Sequence, residues 1–276
     1  MTATTEFVVP KSIPMILPIP ISSSLRCLQL LFSPIPLLKF SVLLSSFFVS
    51  AFAQPPKELL IAAASDLIAV QAPLSEAWMA LSDYRLRFTF GASGMLARQV
   101  DSGAPYDLFL SADEVRIKDL VTAGRLVPNS VVEYARGRLG LWSRGGRYSS
   151  LGELIVPSVL HIAIANPTHA PYGVAAKYAL EKSGLWPKLG GKIVYGETVR
   201  QALEYAESGN AEAAIVAWSL VSDRGGVLLP TSLHNPIRQT AAIVKSSKNQ
   251  EAARYFLRFL VSTEGRKLME SHGFVK

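Results

Sequence analysis

LLIAAASDL, residues 59–67, and FTFGASGMLARQ, residues 88–99, share one design: an apolar strand, a loop of small residues holding a serine, then a helix. Each presents a hydroxyl, Ser65 or Ser93, beside the backbone N–H groups of a helix start. The first-turn N–H groups of a helix lack intrahelical partners and the helix dipole is positive there, so such an end attracts anions. A single junction of this kind has a plain explanation, a serine capping its helix. Gly91-Ala92-Ser93-Gly94 adds to the signal, because flanking glycines let successive N–H groups point into one concavity.

Two further helix starts follow. In Pro171-Tyr172-Gly173 the proline fits the first helical position and leaves the N–H groups of Tyr172 and Gly173 without helical partners. In Gly196-Glu197-Thr198-Val199, Thr198 can cap while the N–H of Val199 points out of the helix. Two starts before residue 100 and two after residue 170 predict a ligand cleft between two lobes, at the carboxyl ends of parallel strands. Neutral N–H and O–H donors suit a fully ionised oxyanion, which only accepts hydrogen bonds. Arg98 and Arg200 lie one turn into their helices, and Arg200 is expected to point away from the ligand.

Outside these loops, strand-like and helix-like stretches alternate, the pattern of an α/β protein with mainly parallel sheets. Strands are expected at 57–64, 85–90, 106–111, 138–142, 161–165, 192–195, 213–218 and 237–244. Helices are expected at 65–81, split by Pro73, and at 95–101, 113–123, 174–183, 197–207, 250–262 and 263–272. Gly103 and Gly124 are expected to stop the helices that precede them.

The first 53 residues read as a leader rather than as fold. Lys39 precedes the apolar run FSVLLSSFFV (residues 40–49), and Ala51-Phe52-Ala53 ends it, which is the order of a secretory signal peptide cleaved after Ala53. The mature chain of 223 residues would carry 25 basic against 20 acidic residues, a net of +5 spread along the sequence. It has no dense Lys/Arg block of the kind that marks nucleic-acid binders. The one cysteine, Cys27, lies in the leader, so no disulfide, thiolate nucleophile or cysteine metal site is expected, nor a lipid anchor.

Catalytic patterns are sparse. The histidines, His161, His169, His234 and His272, are scattered, and His161 is expected to be structural. His169 could pair with Ser65 or Ser93, but neither serine lies in a G-x-S-x-G elbow, so a serine hydrolase-like enzyme is the lesser alternative. No metal motif, Walker loop or dinucleotide fingerprint occurs, and no cofactor or catalytic residue is expected.

Taken together, AAAS (62–65), GASGMLARQ (91–99), GAPYDLFLSAD (103–113), Asn166-Pro167 with Ala170–Gly173, GETVRQAL (196–203), Ile215-Val216 and Gly273-Phe274 resemble the molybdate-binding proteins of ABC importers. That family belongs to the type II periplasmic binding-protein class, and the resemblance runs from about Lys57 to Val275. It implies two α/β lobes of mixed, mainly parallel sheets with helices on both faces and a ligand cleft between them. The leader would be 1–53, lobe 1 would be 54–137 and 227–276, and lobe 2 would be 138–226, with crossings near Glu133–Arg138 and Val221–Leu229. It further implies a periplasmic monomer that binds molybdate, and tungstate, and delivers it to a permease in the inner membrane. Family members hold the anion with two serine hydroxyls and backbone N–H groups, without a metal cation; the matching positions are Ser65, Ser93, Tyr172 and Val199. Another oxyanion such as sulfate is the nearest alternative ligand.

The sequence departs from the family at three positions. Ala217 stands where a tyrosine hydroxyl usually contacts the anion, Tyr172 replaces a small residue, and Asn166 replaces an aspartate. The expectation drawn from the pair is that the Tyr172 hydroxyl, or at least its bulk, takes over from the opposite side of the cleft.

Overall fold

The computed structural model describes residues 56–276; the leader, its cleavage site and Cys27 lie outside the described residues. The chain opens with β1 (Glu58–Ala64), a 3-10 turn at Ser65–Val70 and α1 (Gln71–Met79). Then come β2 (Arg85–Gly91), α2 (Ser93–Asp101), β3 (Leu108–Ser111), α3 (Val115–Thr122) and β4 (Val132–Gly137). A second run follows: β5 (Leu139–Trp142), β6 (Ile162–Ala165), α4 (Pro171–Lys182), α5 (Trp186–Leu189), β7 (Ile193–Gly196), α6 (Val199–Ser208), β8 (Ala213–Ala217) and β9 (Val227–Leu228). The chain ends with β10 (Ile237–Ile243), α7 (Gln250–Leu260) and α8 (Thr263–Ser271).

Two five-stranded sheets result, ordered β2-β1-β3-β10-β4 and β7-β6-β8-β5-β9. They repeat one plan. In the first, β1 runs parallel to β2 and β3, and β10 runs antiparallel to β3 and β4. In the second, β6 runs parallel to β7 and β8, and β5 runs antiparallel to β8 and β9. The central strands β3, β6 and β8 are buried along their whole length, as continuous apolar runs predict. Strand β2 alternates exposed and half-buried residues because it forms an edge.

Each lobe has its own core. In the first, Trp78 of α1 packs edge-on against Phe256 of α7, with ring centroids 5.3 Å apart. Helix α7 reaches that core because Ala253, Phe256, Leu257 and Leu260 fall on one face at helical spacing. The second core gathers around β6 and β8, with Ala176, Ala179 and Leu180 of α4 and Ala202 and Leu203 of α6 packed on it.

Several local expectations change. The helix expected over 65–81 is a 3-10 turn followed by α1, and Pro73 sits in the first turn of α1, where its missing N–H disrupts nothing. The segment 133–138, expected as a crossing, is mostly the edge strand β4, and the first crossing narrows to Arg138 between β4 and β5. The return lies later than a boundary at residue 227 implies. Val227 and Leu228 pair with Leu141 and Gly140 of β5, because that strand has an open edge with backbone groups to satisfy. The chain therefore returns between Leu228 and Ile237.

Candidate functional site

The carboxyl ends of β1 and β2 in one lobe face the starts of α4 and α6 in the other. Between them lies a small, tight cavity, and Ser65, Ser93, Tyr172 and Val199 all line it, together with Asp66. Tight packing brings these elements so close. A Cβ on Gly173 would overlap the carbonyl of Ala165, so α4 presses directly on the end of β6. On the other lobe a Cβ on Gly94 would lie 2.9 Å from the Cβ and the carbonyl oxygen of His169. The Gly94 N–H instead donates to that carbonyl at 2.9 Å, a main-chain bond from lobe to lobe.

Neither serine caps its helix. The N-cap positions are Ala64 and Ala92, neither with a side-chain cap bond, and each serine is the first residue inside its turn. The plain explanation of these serines therefore fails on geometry. Ser93 Oγ accepts a hydrogen bond from the N–H of Ala112 at 3.0 Å. A hydroxyl has a single proton, so with its oxygen already accepting, Ser93 keeps that proton for another partner. Both serines are buried.

The second lobe contributes main-chain donors. Tyr172 is the second residue of α4 behind Pro171, and Val199 is the first residue of α6. Their N–H groups belong to the first turn and have no helical acceptor. Thr198 caps α6 as expected, its Oγ1 accepting from Gln201 N at 3.0 Å.

The Tyr172 hydroxyl does not serve the cavity, contrary to the expectation from sequence. It donates to Asp66 Oδ2 at 2.9 Å and accepts from the Gln239 amide at 3.2 Å. Its one proton is thus committed to a carboxylate of the opposite lobe. Ala217, buried at the end of β8, brings no hydroxyl to the cavity.

Other side chains fall into place around the site. No basic side chain lines the cavity. Arg200 points to Glu204 and Glu207, at 3.1 and 3.0 Å. The His169 Nε2 lies 3.1 Å from the Glu197 carboxylate rather than beside a serine, which leaves a hydrolase-like pair without its base. The one carboxylate in the lining, Asp66, is fully buried, and burial raises its carboxyl from 3.8 to about 6 despite the bonds from Tyr172 and Gln239. Asp66 was not anticipated from sequence, although a charge inside the apolar run LLIAAASDLIAV was the available signal.

Two α/β lobes bringing four helix starts around one small cavity are the architecture of a solute-binding protein. The chain belongs to the bacterial extracellular solute-binding protein family, whose model matches residues 59–275. It is 37% identical over 196 residues to the molybdate-binding protein ModA of Rhodobacter capsulatus, covering 70% of this chain and 78% of the relative. To ModA of Azotobacter vinelandii it is 32% identical over 232 residues, covering 81% and 92% respectively. The solved structure of the periplasmic molybdate-binding protein of Azotobacter vinelandii superposes with a TM-score of 0.75 at 29% identity, over 79% of this chain and 99% of that one. The sulfate-binding protein SubI of Mycobacterium tuberculosis shares the fold, with a TM-score of 0.66 at 17% identity.

Proposed function

We infer that this protein is the exported binding component of an ABC importer, and that it captures molybdate, and tungstate, in the cavity between its lobes. The observation that carries this reading is the convergence of Ser65, Ser93, Tyr172 and Val199 on one small cavity that no basic side chain lines. Such a cavity offers donors to an ion that can only accept, and it compensates a dianion by helix starts rather than by a counter-charge. The identity to ModA proteins supports molybdate as that ion. The two serines supply hydroxyl protons, and Tyr172 and Val199 supply N–H groups. Closure of the lobes would bury the anion, and the closed form would be what the permease recognises.

Sulfate and molybdate are both tetrahedral dianions, so neutral donors select between them by the size of the cavity. Calorimetry with molybdate, tungstate, sulfate and phosphate tests this directly. Tight binding of the first two and weak binding of the others is expected. Preference for sulfate or phosphate would overturn the assigned ligand while leaving the cavity as an anion site.

A further inference from the structure

Behind the anion cavity a second polar cluster joins the lobes. Asp66 Oδ2 accepts from the Tyr172 hydroxyl of the second lobe at 2.9 Å and from Gln239 Nε2 of the first lobe at 2.7 Å. The Tyr134 hydroxyl donates to Gln239 Oε1 at 3.1 Å, which orients the amide with its N–H toward Asp66. The carbonyl of Asp66 itself accepts from Ser219 Oγ of the second lobe at 3.0 Å. One residue of the first lobe thus holds the second by both its side chain and its main chain. The fit is close, since a Cβ on Gly137 would overlap the Tyr172 hydroxyl.

Asp66 Oδ1 is buried without a partner among the described residues. A buried carboxylate is costly even when paired. That cost exists only while the lobes are together. When they part, Tyr172 and Ser219 leave with the second lobe, and the carboxylate keeps only the bonds of its own lobe. The contact therefore belongs to one state of the cleft and is poised, with bonds that favour closure set against desolvation that opposes it.

We propose that Asp66 is a positioning residue for anion capture: across the closed cleft it holds Tyr172, and through Tyr172 it sets the first turn of α4 against the anion. The proposal rests on the cavity being the anion site.

Its test compares Tyr172→Phe, Asp66→Ala, Asp66→Asn and the Tyr172→Phe/Asp66→Ala double variant. Molybdate affinity is read by calorimetry, and lobe closure by the distance between two spin labels, one per lobe. Tyr172→Phe keeps the ring and its packing, and is expected to raise Kd about tenfold or more and to shift the labels toward the open distance. In the Asp66→Ala background the same change should add less than about threefold, because the hydroxyl's partner is already gone. Asp66→Asn keeps an oxygen for both donors, so its label distances should lie nearer wild type than those of Asp66→Ala, and the reverse order would overturn the proposal. Equal losses from Tyr172→Phe in both backgrounds would mean that the hydroxyl acts on the anion itself, and would overturn the proposal. So would unchanged binding in Tyr172→Phe. A wild-type protein that binds none of molybdate, tungstate, sulfate or phosphate would overturn the proposed function instead. The Asp66–Tyr172 contact is then judged by the ligand-free label distances, and identical distributions in wild type and Tyr172→Phe would overturn its role.

Discussion

At Ser93 the N–H of Ala112 occupies the hydroxyl oxygen, while Ser65 stands in the first turn after β1 with no capping duty. Replacing either should remove one hydrogen bond to an anion, worth about 1.5–3 kcal/mol, or roughly ten- to a hundredfold in Kd. The two differ in stability. Ser93→Ala also strips Ala112 N–H of its acceptor and should lower unfolding free energy by about 1–3 kcal/mol, whereas Ser65→Ala should not. Calorimetry paired with denaturant titration separates the effects, and wild-type affinity in a Ser65→Ala/Ser93→Ala variant would remove the site. Asp66 adds a pH dependence. Burial raises its carboxyl from 3.8 to about 6, so the folded protein binds this proton more tightly than the unfolded chain does. The stabilisation is fully present below about pH 4, is lost as pH rises through about 6, and is flat above that. Relative to Asp66→Asn, wild type should gain roughly 2–3 kcal/mol between pH 7 and pH 4. Denaturant curves of both proteins across that range would show it, and parallel pH profiles would contradict it.

Among the elements, the helix starts act only because their neighbours come unusually close. Gly94 is the second residue of α2, a position the helix itself lets alanine occupy. Its replacement by alanine nevertheless sets a Cβ 2.9 Å from His169 across the cleft. Gly94→Ala should therefore weaken anion binding at least tenfold, with a smaller loss of ligand-free stability than a clash buried within one lobe. Gly173→Ala meets the Ala165 carbonyl within one lobe, and should cost about 1–3 kcal/mol of stability with or without anion. Thermal unfolding with and without molybdate tells these two apart. These elements were largely legible in the sequence, since strand, small-residue loop and helix follow one another within ten or so residues. The direction of the Tyr172 hydroxyl was not, because its partner lies 106 positions away in the chain. Strand β4 was missed for a related reason: as an edge strand it is only partly buried and carries a weak apolar signal.

As a whole molecule, the protein is held together across its cleft by bonds that run from one lobe to the other. Gly94 to His169, and Tyr172 and Ser219 to Asp66, join first lobe to second, and the Arg138 guanidinium ties the crossing to the Gly273 carbonyl at 3.0 Å. An anion that binds only where both lobes contribute donors should stabilise the closed form. At a hundred times its Kd it adds about 2.7 kcal/mol, which for a fold of this size raises Tm by about 5–10 °C. A thermal-shift screen across the four anions should rank molybdate and tungstate highest, and a larger shift with another anion would reassign the ligand.

By itself the sequence determined that this is an α/β chain with serine-bearing helix starts suited to an oxyanion, because strand period, helix spacing and first-turn N–H groups are local properties. It also carried the family resemblance on which the lobes were expected. Only the tertiary structure decided that Ser65, Ser93, Tyr172 and Val199 share one cavity, and that the Tyr172 hydroxyl turns to Asp66 instead. Which donor meets which acceptor depends on how segments more than a hundred residues apart are packed, and no local pattern encodes that.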